Sequence, residues 1–241
     1  MTKTTGLRVA SLLSLLTSMS LAACGAPTGD GDPGTAGTTG SGDRNRALML
    51  FDLSGVIPPG SVITSAELVM DIVRQPSSGQ ENSIFSLRPV LQPWGEGVQV
   101  PADIDRPGVG APAAPGEATW ISRFSPGSGW AQPGGQAGVD FSTEISSTAF
   151  VSSLGEQVLF GSTPSLVANL QLWVDHPTSN FGWMLATESE DLGKTARGFA
   201  SRESGFGPTL TVQFTAVPEP GTISMVCLCL LGLAAAARFR R

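Results

Sequence analysis

The sequence predicts a mainly β protein: a jelly-roll-like antiparallel β-sandwich with one short helix, between an N-terminal signal and a C-terminal membrane helix. Short apolar segments alternate with turn-forming stretches, and the 241 residues include 30 glycines and 18 prolines to supply those turns. Only one segment has the apolar spacing of a helix. The chain between the terminal signals, residues 43–215, is about 170 residues long, which is enough for one hydrophobic core.

The N-terminus has the charged and apolar regions of a secretory signal peptide, which we place at residues 1–24. Lys3 and Arg8 precede an apolar stretch at residues 9–23. Residues 21–24 (LAAC) resemble a bacterial lipobox, in which Cys24 would become the lipidated first residue of the mature chain. The alternative is an ordinary signal peptide with Cys24 beside its cleavage site. Both interpretations predict export.

Residues 25–42 are almost entirely Gly, Thr, Ser, Pro, Asp and Ala. Such a segment has too few apolar side chains to offset the entropy lost on ordering. The sequence therefore predicts a flexible linker here, followed by one domain at residues 43–215.

Within the domain, strands are predicted where short apolar or alternating segments lie between turns: residues 47–53, 65–73, 84–91, 118–124, 158–160, 182–187, 196–201 and 209–214. One helix is predicted after Thr163, which can cap its first turn, and Pro164, which suits the first helical position. Its apolar face comprises Leu166, Val167, Leu170, Trp173 and Val174. His176 is expected to cap its C-terminal end.

Charge and cysteine content limit the partners of the exported part. Five of the 14 Lys and Arg residues and one of the 20 acidic residues, Glu219, lie in the terminal signals, which leaves nine basic residues against 19 acidic ones, a net charge of about −10. Such a surface repels phosphate backbones, so nucleic-acid binding is not expected. The three cysteines, Cys24, Cys227 and Cys229, all lie in the terminal segments. The domain therefore has neither a disulfide nor a thiolate metal site.

The C-terminus carries Pro218, Glu219 and Pro220, then an apolar run at residues 223–237, then a basic tail at residues 238–241. The run is about 15 residues, near the lower limit for a membrane helix. The order of these parts resembles a PEP-CTERM sorting signal at residues 216–241. The resemblance implies a precursor held at the inner membrane until an exosortase cleaves near the Pro-Glu-Pro motif and releases the protein to the surface or extracellular matrix.

The domain itself resembles a DNRLRE domain over residues 44–214. The segments that carry the resemblance are residues 45–53 (NRALMLFDL), 57–68 (IPPGSVITSAEL), 94–97 (WGEG), 118–120 (ATW), 180–183 (NFGW), 199–203 (FASRE) and 208–210 (PTL). The family is similar to non-catalytic carbohydrate-binding modules with a jelly-roll β-sandwich. The resemblance therefore implies a module that binds extracellular polysaccharide.

Two groups of residues are candidates for ligand contacts. Trp94, Trp120 and Trp130 lie in or beside the Gly/Pro-rich residues 93–138, where exposed rings could stack on sugars. The alternative is that they hold the loop on the domain, and the core interpretation is favoured for Trp120, which falls in a predicted strand. Trp173 and Trp183 are predicted to be core residues.

The second group is acidic. Glu188, Glu190 and Asp191 crowd one loop and could hold a structural calcium ion, although a solvated acidic turn is favoured. No other cofactor is expected.

Enzymatic activity is not expected. His176 is the single histidine, tyrosine is absent, and no nucleophile elbow or phosphate loop is present. The expected function is non-catalytic attachment to polysaccharide. The alternatives are a structural matrix domain that contacts other proteins and, third, a carbohydrate-active hydrolase with two carboxyls that converge in space.

Overall fold

The computed structural model of the chain describes the backbone of residues 15–20 and 22–24 and, in full, residues 34–97, 113–201 and 207–216. The predicted Pro-Glu-Pro motif, the apolar run at 223–237 and the first half of the predicted linker, residues 25–33, lie outside the described residues. Among the residues that are described, no helix is long and apolar enough to cross a membrane.

The described chain is mainly β, with one α-helix. The strands are β1 Leu15–Ser20, β2 Ala22–Cys24, β3 Thr35–Thr38, β4 Arg44–Asn45, β5 Ala47–Leu50, β6 Val62–Arg74, β7 Ser83–Pro89, β8 Ser147–Val151, β9 Gln157–Phe160, β10 Trp183–Thr187, β11 Arg197–Phe199 and β12 Thr209–Thr215. Helix α1 spans Pro164–Asp175, and a short 3-10 helix follows at Pro177–Ser179.

The strands of the described ranges form two antiparallel sheets. The first sheet has the order β1-β12-β6-β11-β3-β4, with β9 also paired to β6; the second has the order β2-β5-β10-β7-β8. The prediction of a mainly β, antiparallel fold with one helix is confirmed.

One hydrophobic cluster joins the two sheets. Strand β6 alternates, with Leu68, Met70 and Ile72 buried, and these side chains face buried residues of the second sheet. Phe85 of β7 meets Phe199 of β11 edge-on, with ring centroids 5.9 Å apart. Burial of each such side chain stabilises the fold by about 1.5–3 kcal/mol. The architecture is therefore sandwich-like.

Helix α1 begins and ends as the sequence predicts. The Thr163 hydroxyl accepts the N–H of Leu166 at 3.0 Å, and Pro164 follows at the first position. The buried residues are Leu166, Leu170, Trp173 and Val174, with Val167 partly buried against the same cluster. His176 is the C-terminal cap, and its backbone N–H donates to the Leu172 carbonyl. The core positions predicted for Trp173 and Trp183 are also confirmed.

A second hydrophobic cluster lies on the opposite face of the second sheet. Residues 90–146 connect β7 to β8, and we call them the β7–β8 loop. Leu48 of β5 and Met184 of β10 point away from the main core and pack against Val90, Ala118, Trp130 and Phe141 of this loop. Both faces of the sheet are therefore covered at β5 and β10, which explains why every residue of β10 is buried.

Two predictions of local structure are wrong. Thr35–Thr38, placed in the flexible linker, is a buried strand that pairs with β11 and β4. Its small side chains fit a narrow space: a Cβ at Gly37 would lie 2.7 Å from the Thr195 carbonyl oxygen. Residues 118–124, predicted as a strand, form only an isolated bridge between Ser122 and Gly129.

Strands β1 and β2 fall within the predicted signal peptide. Strand β1 pairs with β12 from Leu15 opposite Phe214 to Ser20 opposite Thr209. Strand β2 pairs with β5. Each of the two therefore forms the end of its sheet.

Candidate functional site

A polar cavity of about 380 Å³ lies beside the β7–β8 loop on the outer face of the second sheet. Its wall includes Ala137, Phe141, Ala186 and Thr187. Its charged lining consists of three arginines and three carboxylates: Arg44, Arg46, Arg88, Glu188, Glu190 and Asp191. We call this cavity the Arg–carboxylate pocket.

Arg46 and Glu190 form the central ion pair of the pocket. Arg46 Nε lies 2.6 Å from Glu190 Oε1, and Nη2 lies 2.8 Å from Oε2, so the pair is bidentate. Arg46 Nη1 also donates to the carbonyls of Gly134 and Gly135, at 2.9 and 3.2 Å. The two side chains are only 15% and 21% exposed. The guanidinium is thus fixed between the acidic loop and the β7–β8 loop.

Aromatic rings surround the same guanidinium. The Arg46 carbon Cζ lies 5.2 Å from the Phe141 ring centroid and 5.7 Å from that of Trp120. Both distances are within the range of a cation–π interaction. The Trp120 ring also lies against Gly134, where an added Cβ would come within 2.5 Å of it. Trp120 is half-buried in a loop, so its prediction as a strand residue is wrong.

Two further ion pairs, Arg88–Glu188 and Arg44–Asp191, line the Arg–carboxylate pocket. Arg88 Nη2 donates to both oxygens of Glu188, at 3.1 and 3.2 Å, while its Nη1 donates to the Thr143 carbonyl at 2.8 Å. The Ser86 hydroxyl also donates to Glu188 Oε1. Arg44 Nη2 lies 2.5 Å from Asp191 Oδ1, but these side chains are 47% and 94% exposed. The Arg44 pair therefore contributes little stability and is the most accessible to a ligand.

The carboxylates considered as calcium ligands or as a solvated acidic turn pair with arginines in the structure. Each of Glu188, Glu190 and Asp191 pairs with its own arginine. Within the part of the chain that the structure describes, no group of three or more His, Cys, Asp or Glu side chains is arranged to hold a metal ion. Each of these carboxylates therefore has a guanidinium group bound to at least one of its oxygens.

Trp130 and Trp94 support the loop from within. Trp130 is 7% exposed, and its indole N–H donates to the Thr119 carbonyl at 2.8 Å. The prediction that Trp130 presents its ring to a ligand is therefore wrong, because the ring is part of the second hydrophobic cluster. Trp94 is half-buried against that cluster, and its N–H donates to the Phe181 carbonyl at 2.8 Å. Of the three candidates, Trp120 is the one that contacts an arginine of the pocket.

Asp140 fixes the part of the loop that forms the pocket wall. It is 2% exposed, and its Oδ2 accepts the backbone N–H groups of Ala131 and Gln136 at 2.9 and 2.8 Å. Nothing in the sequence pattern distinguishes this aspartate from exposed ones, because its partners are backbone groups far from any regular element.

Replacing Asp140 with alanine is expected to lower the free energy of unfolding by about 1–3 kcal/mol, because two backbone N–H groups lose the buried charged acceptor that they share. Hydrogen exchange should accelerate at the amides of Ala131 and Gln136 before the rest of the domain is affected. The matched control is Glu144→Ala, an exposed acidic residue of the same loop, which should leave both properties near wild type. Unchanged exchange in the Asp140 variant would contradict the assignment.

A second cavity, of about 400 Å³, lies between the segment after β5 and the end of α1. Leu53, Ile57 and Trp173 give it an apolar wall, and Asp52 lies at its edge. The Ser54 backbone N–H and hydroxyl hydrogen-bond to the Asp52 carboxyl and lower its pKa from the usual value. This cavity has one charged group, whereas the Arg–carboxylate pocket has six.

The fold and pocket define a class: a mainly β, antiparallel domain with a polar pocket of balanced charge on one sheet face. Comparison with protein families identifies a sorting signal in the chain. Residues 216–241 match the PEP-CTERM protein-sorting motif. The match implies export, a membrane-anchored precursor and processing by an exosortase, as the sequence predicts. A comparison of the chain with curated proteins finds no match. The DNRLRE resemblance and the lipidation of Cys24 stay predictions.

Proposed function

We propose that this is an exported, exosortase-sorted protein of the cell surface or extracellular matrix, whose jelly-roll-like sandwich is a non-catalytic polysaccharide-binding module. The Arg–carboxylate pocket is its binding site. The observation that carries the proposal is the combination of fixed guanidinium and carboxylate groups beside the rings of Phe141 and Trp120.

The chemistry of the pocket suits a ligand rich in hydroxyl groups. A sugar hydroxyl both donates and accepts a hydrogen bond, and adjacent carboxylate and guanidinium groups offer it an acceptor and a donor. The pairs are already held by the protein, so binding requires little further ordering of side chains. Three positive groups balance three negative ones, which favours an uncharged glycan over a strongly anionic one.

The arrangement supports binding rather than hydrolysis. Glycoside hydrolysis requires two carboxyl groups that face the scissile bond from either side. Each carboxylate of the pocket is instead held by an arginine, and His176 caps α1 and does not line the pocket. No metal has a role in the proposed binding.

The second candidate is a structural matrix domain without glycan affinity. The burial of Trp130 and the internal hydrogen bond of Trp94 favour it, since both rings support the loop. The two candidates differ in one measurable property, which is affinity for soluble glycans.

Affinity electrophoresis of residues 25–216 tests the proposal. All members of both hydrophobic clusters lie between Ala36 and Phe214, so this part of the chain retains the core. The gels contain a neutral β-glucan, a galactomannan or alginate, each with and without calcium. We expect retardation by at least one neutral glycan.

In Glu188→Gln and Arg44→Gln variants, the apparent Kd should rise about tenfold or more, because each loses a charged partner for a hydroxyl group. Glu67→Gln is the matched control, since Glu67 is exposed on β6 of the other sheet. Absence of retardation in every gel would contradict the proposal and favour a structural matrix domain without glycan affinity. New reducing ends after incubation would indicate a hydrolase.

A further inference from the structure

Strand β12 is the second strand of the first sheet, between β1 and β6, and it becomes the edge strand when β1 is removed. Its residues 209–215 (TLTVQFT) include no charge, no proline and no glycine. Leu210, Val212 and Phe214 are buried in the main core, and Thr211 and Gln213 face outward. Edge strands of soluble proteins usually carry charges, prolines or bulges that prevent pairing with another chain. A bulge occurs here only towards β6, between Gln213 and Phe214.

The structure shows that this edge accepts an added antiparallel strand. Strand β1 pairs with β12 over six residues without a register shift. Apolar residues stand opposite the inward-facing positions near the two ends of the pairing: Leu15 is opposite Phe214, and Met19 is opposite Leu210. The edge thus provides both backbone partners and an apolar inner side.

Strand β1 belongs to the predicted signal peptide, residues 1–24. The PEP-CTERM match implies export, and a secretory signal peptide is removed on export. The mature protein would then lack β1, and the open edge of β12 would expose the end of the core. The exposure of the β12 edge depends on export and on removal of the signal peptide, and it does not depend on glycan binding.

We propose that a second copy of the chain occupies this edge in the mature protein, through antiparallel pairing of the two β12 strands about a two-fold axis at Val212. In this register Leu210 of one copy lies opposite Phe214 of the other, and Val212 lies opposite itself. The inward positions of the pairing are then all apolar. Such pairing joins the two first sheets into one continuous sheet.

The outward side fits the same register. Thr211 of one copy lies opposite Gln213 of the other, and Thr209 lies opposite Thr215. None of these residues is charged, so pairing brings no like charges directly together. The strand is therefore complementary to itself on both faces, which favours a second copy over an unrelated partner.

Sedimentation velocity of residues 25–216 over a dilution series tests the pairing. The wild-type chain should show a reversible monomer–dimer equilibrium. Thr211→Lys should shift it towards monomer, because the two added lysines become diagonal neighbours on the same side of the paired strands and repel each other. Thr148→Lys is the matched control, since Thr148 is exposed on β8 of the other sheet, and it should retain the dimer. Circular dichroism shows whether each variant is folded.

Cysteine cross-linking tests the register. Residues 25–216 contain no native cysteine. Thr211→Cys and Gln213→Cys chains, mixed under mild oxidation, should form a mixed disulfide dimer, because the two positions face each other across the two-fold axis. Either variant alone should cross-link far less. A wild-type chain that remains monomeric at every concentration would overturn the proposal, and so would a dimer that persists in the Thr211→Lys variant and yields no mixed disulfide.

Discussion

Replacing Arg197 with methionine is expected to lower the free energy of unfolding by about 3–5 kcal/mol, among the largest effects of a single substitution in this domain. Arg197 is 1% exposed, and burial lowers the pKa of its guanidinium from the usual value. Its guanidinium donates to oxygens of neutral groups: the backbone carbonyls of Glu81, Ser152, Lys194, Thr195 and Ala196 and the side-chain amide of Asn82.

The effect is large because the guanidinium joins three separate segments. Its Nε donates to Ser152 at 2.7 Å, and its Nη2 donates to Glu81 at 3.1 Å. Methionine fills a similar volume but donates no hydrogen bond, so several carbonyl oxygens would stay buried without this partner.

Chemical denaturation measures the loss. Arg197→Lys should be intermediate, because an ammonium group has fewer donors and no planar fork to reach both sides. Arg44→Met is the matched control and should change stability by less than about 1 kcal/mol, since the Arg44 pair is exposed. An Arg197→Met chain with the wild-type denaturation midpoint would show that the carbonyl groups find other partners.

Replacing Trp183 with leucine is expected to cost about 3–4 kcal/mol. Trp183 is fully buried, and its ring meets Trp173 and Phe51 edge-on at centroid distances of 4.5 and 5.9 Å. Its indole N–H donates to the Ser146 hydroxyl at 2.9 Å, and that hydroxyl donates to Asn169 Oδ1 at 2.6 Å. Leucine leaves a cavity and removes the indole donor.

A double-mutant cycle with Ser146→Ala separates the hydrogen bond from the packing. The two substitutions should be less than additive, since both remove the same bond. Trp94→Leu is the matched control. It should cost clearly less, because Trp94 is only half-buried. Full additivity in the cycle would show that the indole hydrogen bond contributes no stability.

Periodicity predicted the elements that bury one face. Strand β6 alternates, and α1 has one apolar face between Thr163 and His176. Each pattern follows from contact with a single core, so local spacing was sufficient to find the element and the side that packs.

Periodicity could not predict the second hydrophobic cluster. The β7–β8 loop covers β5 and β10 by contacts between residues far apart in the chain, and it buries Trp130 without any regular strand. A Gly/Pro-rich composition indicates turns, but it does not indicate where the turns pack.

Only part of the Arg–carboxylate pocket could be predicted from the sequence, because its ion pairs also join residues that are far apart in the chain. Sequence reasoning identified Glu188, Glu190 and Asp191 as an unusual cluster, because they are neighbours in the chain. Their partners Arg44, Arg46 and Arg88 lie on other strands or beside them, so no spacing rule could reveal the ion pairs. The segment at residues 45–53 contains Arg46, and only the fold shows that its side chain faces outward.

The length of β6 also separates the Arg–carboxylate pocket from the sorting motif. Val62 at the start of β6 pairs with Thr215, one residue before the sorting motif begins at residue 216. The other end, at Arg74, pairs with Gly198 of β11 beside β3, and Thr38 of β3 donates to the Glu190 carbonyl. Thirteen residues of strand span on the order of 40 Å. The Arg–carboxylate pocket therefore lies towards the end of β6 that is opposite to the end joined to the sorting motif, and the two are separated by most of the length of the first sheet.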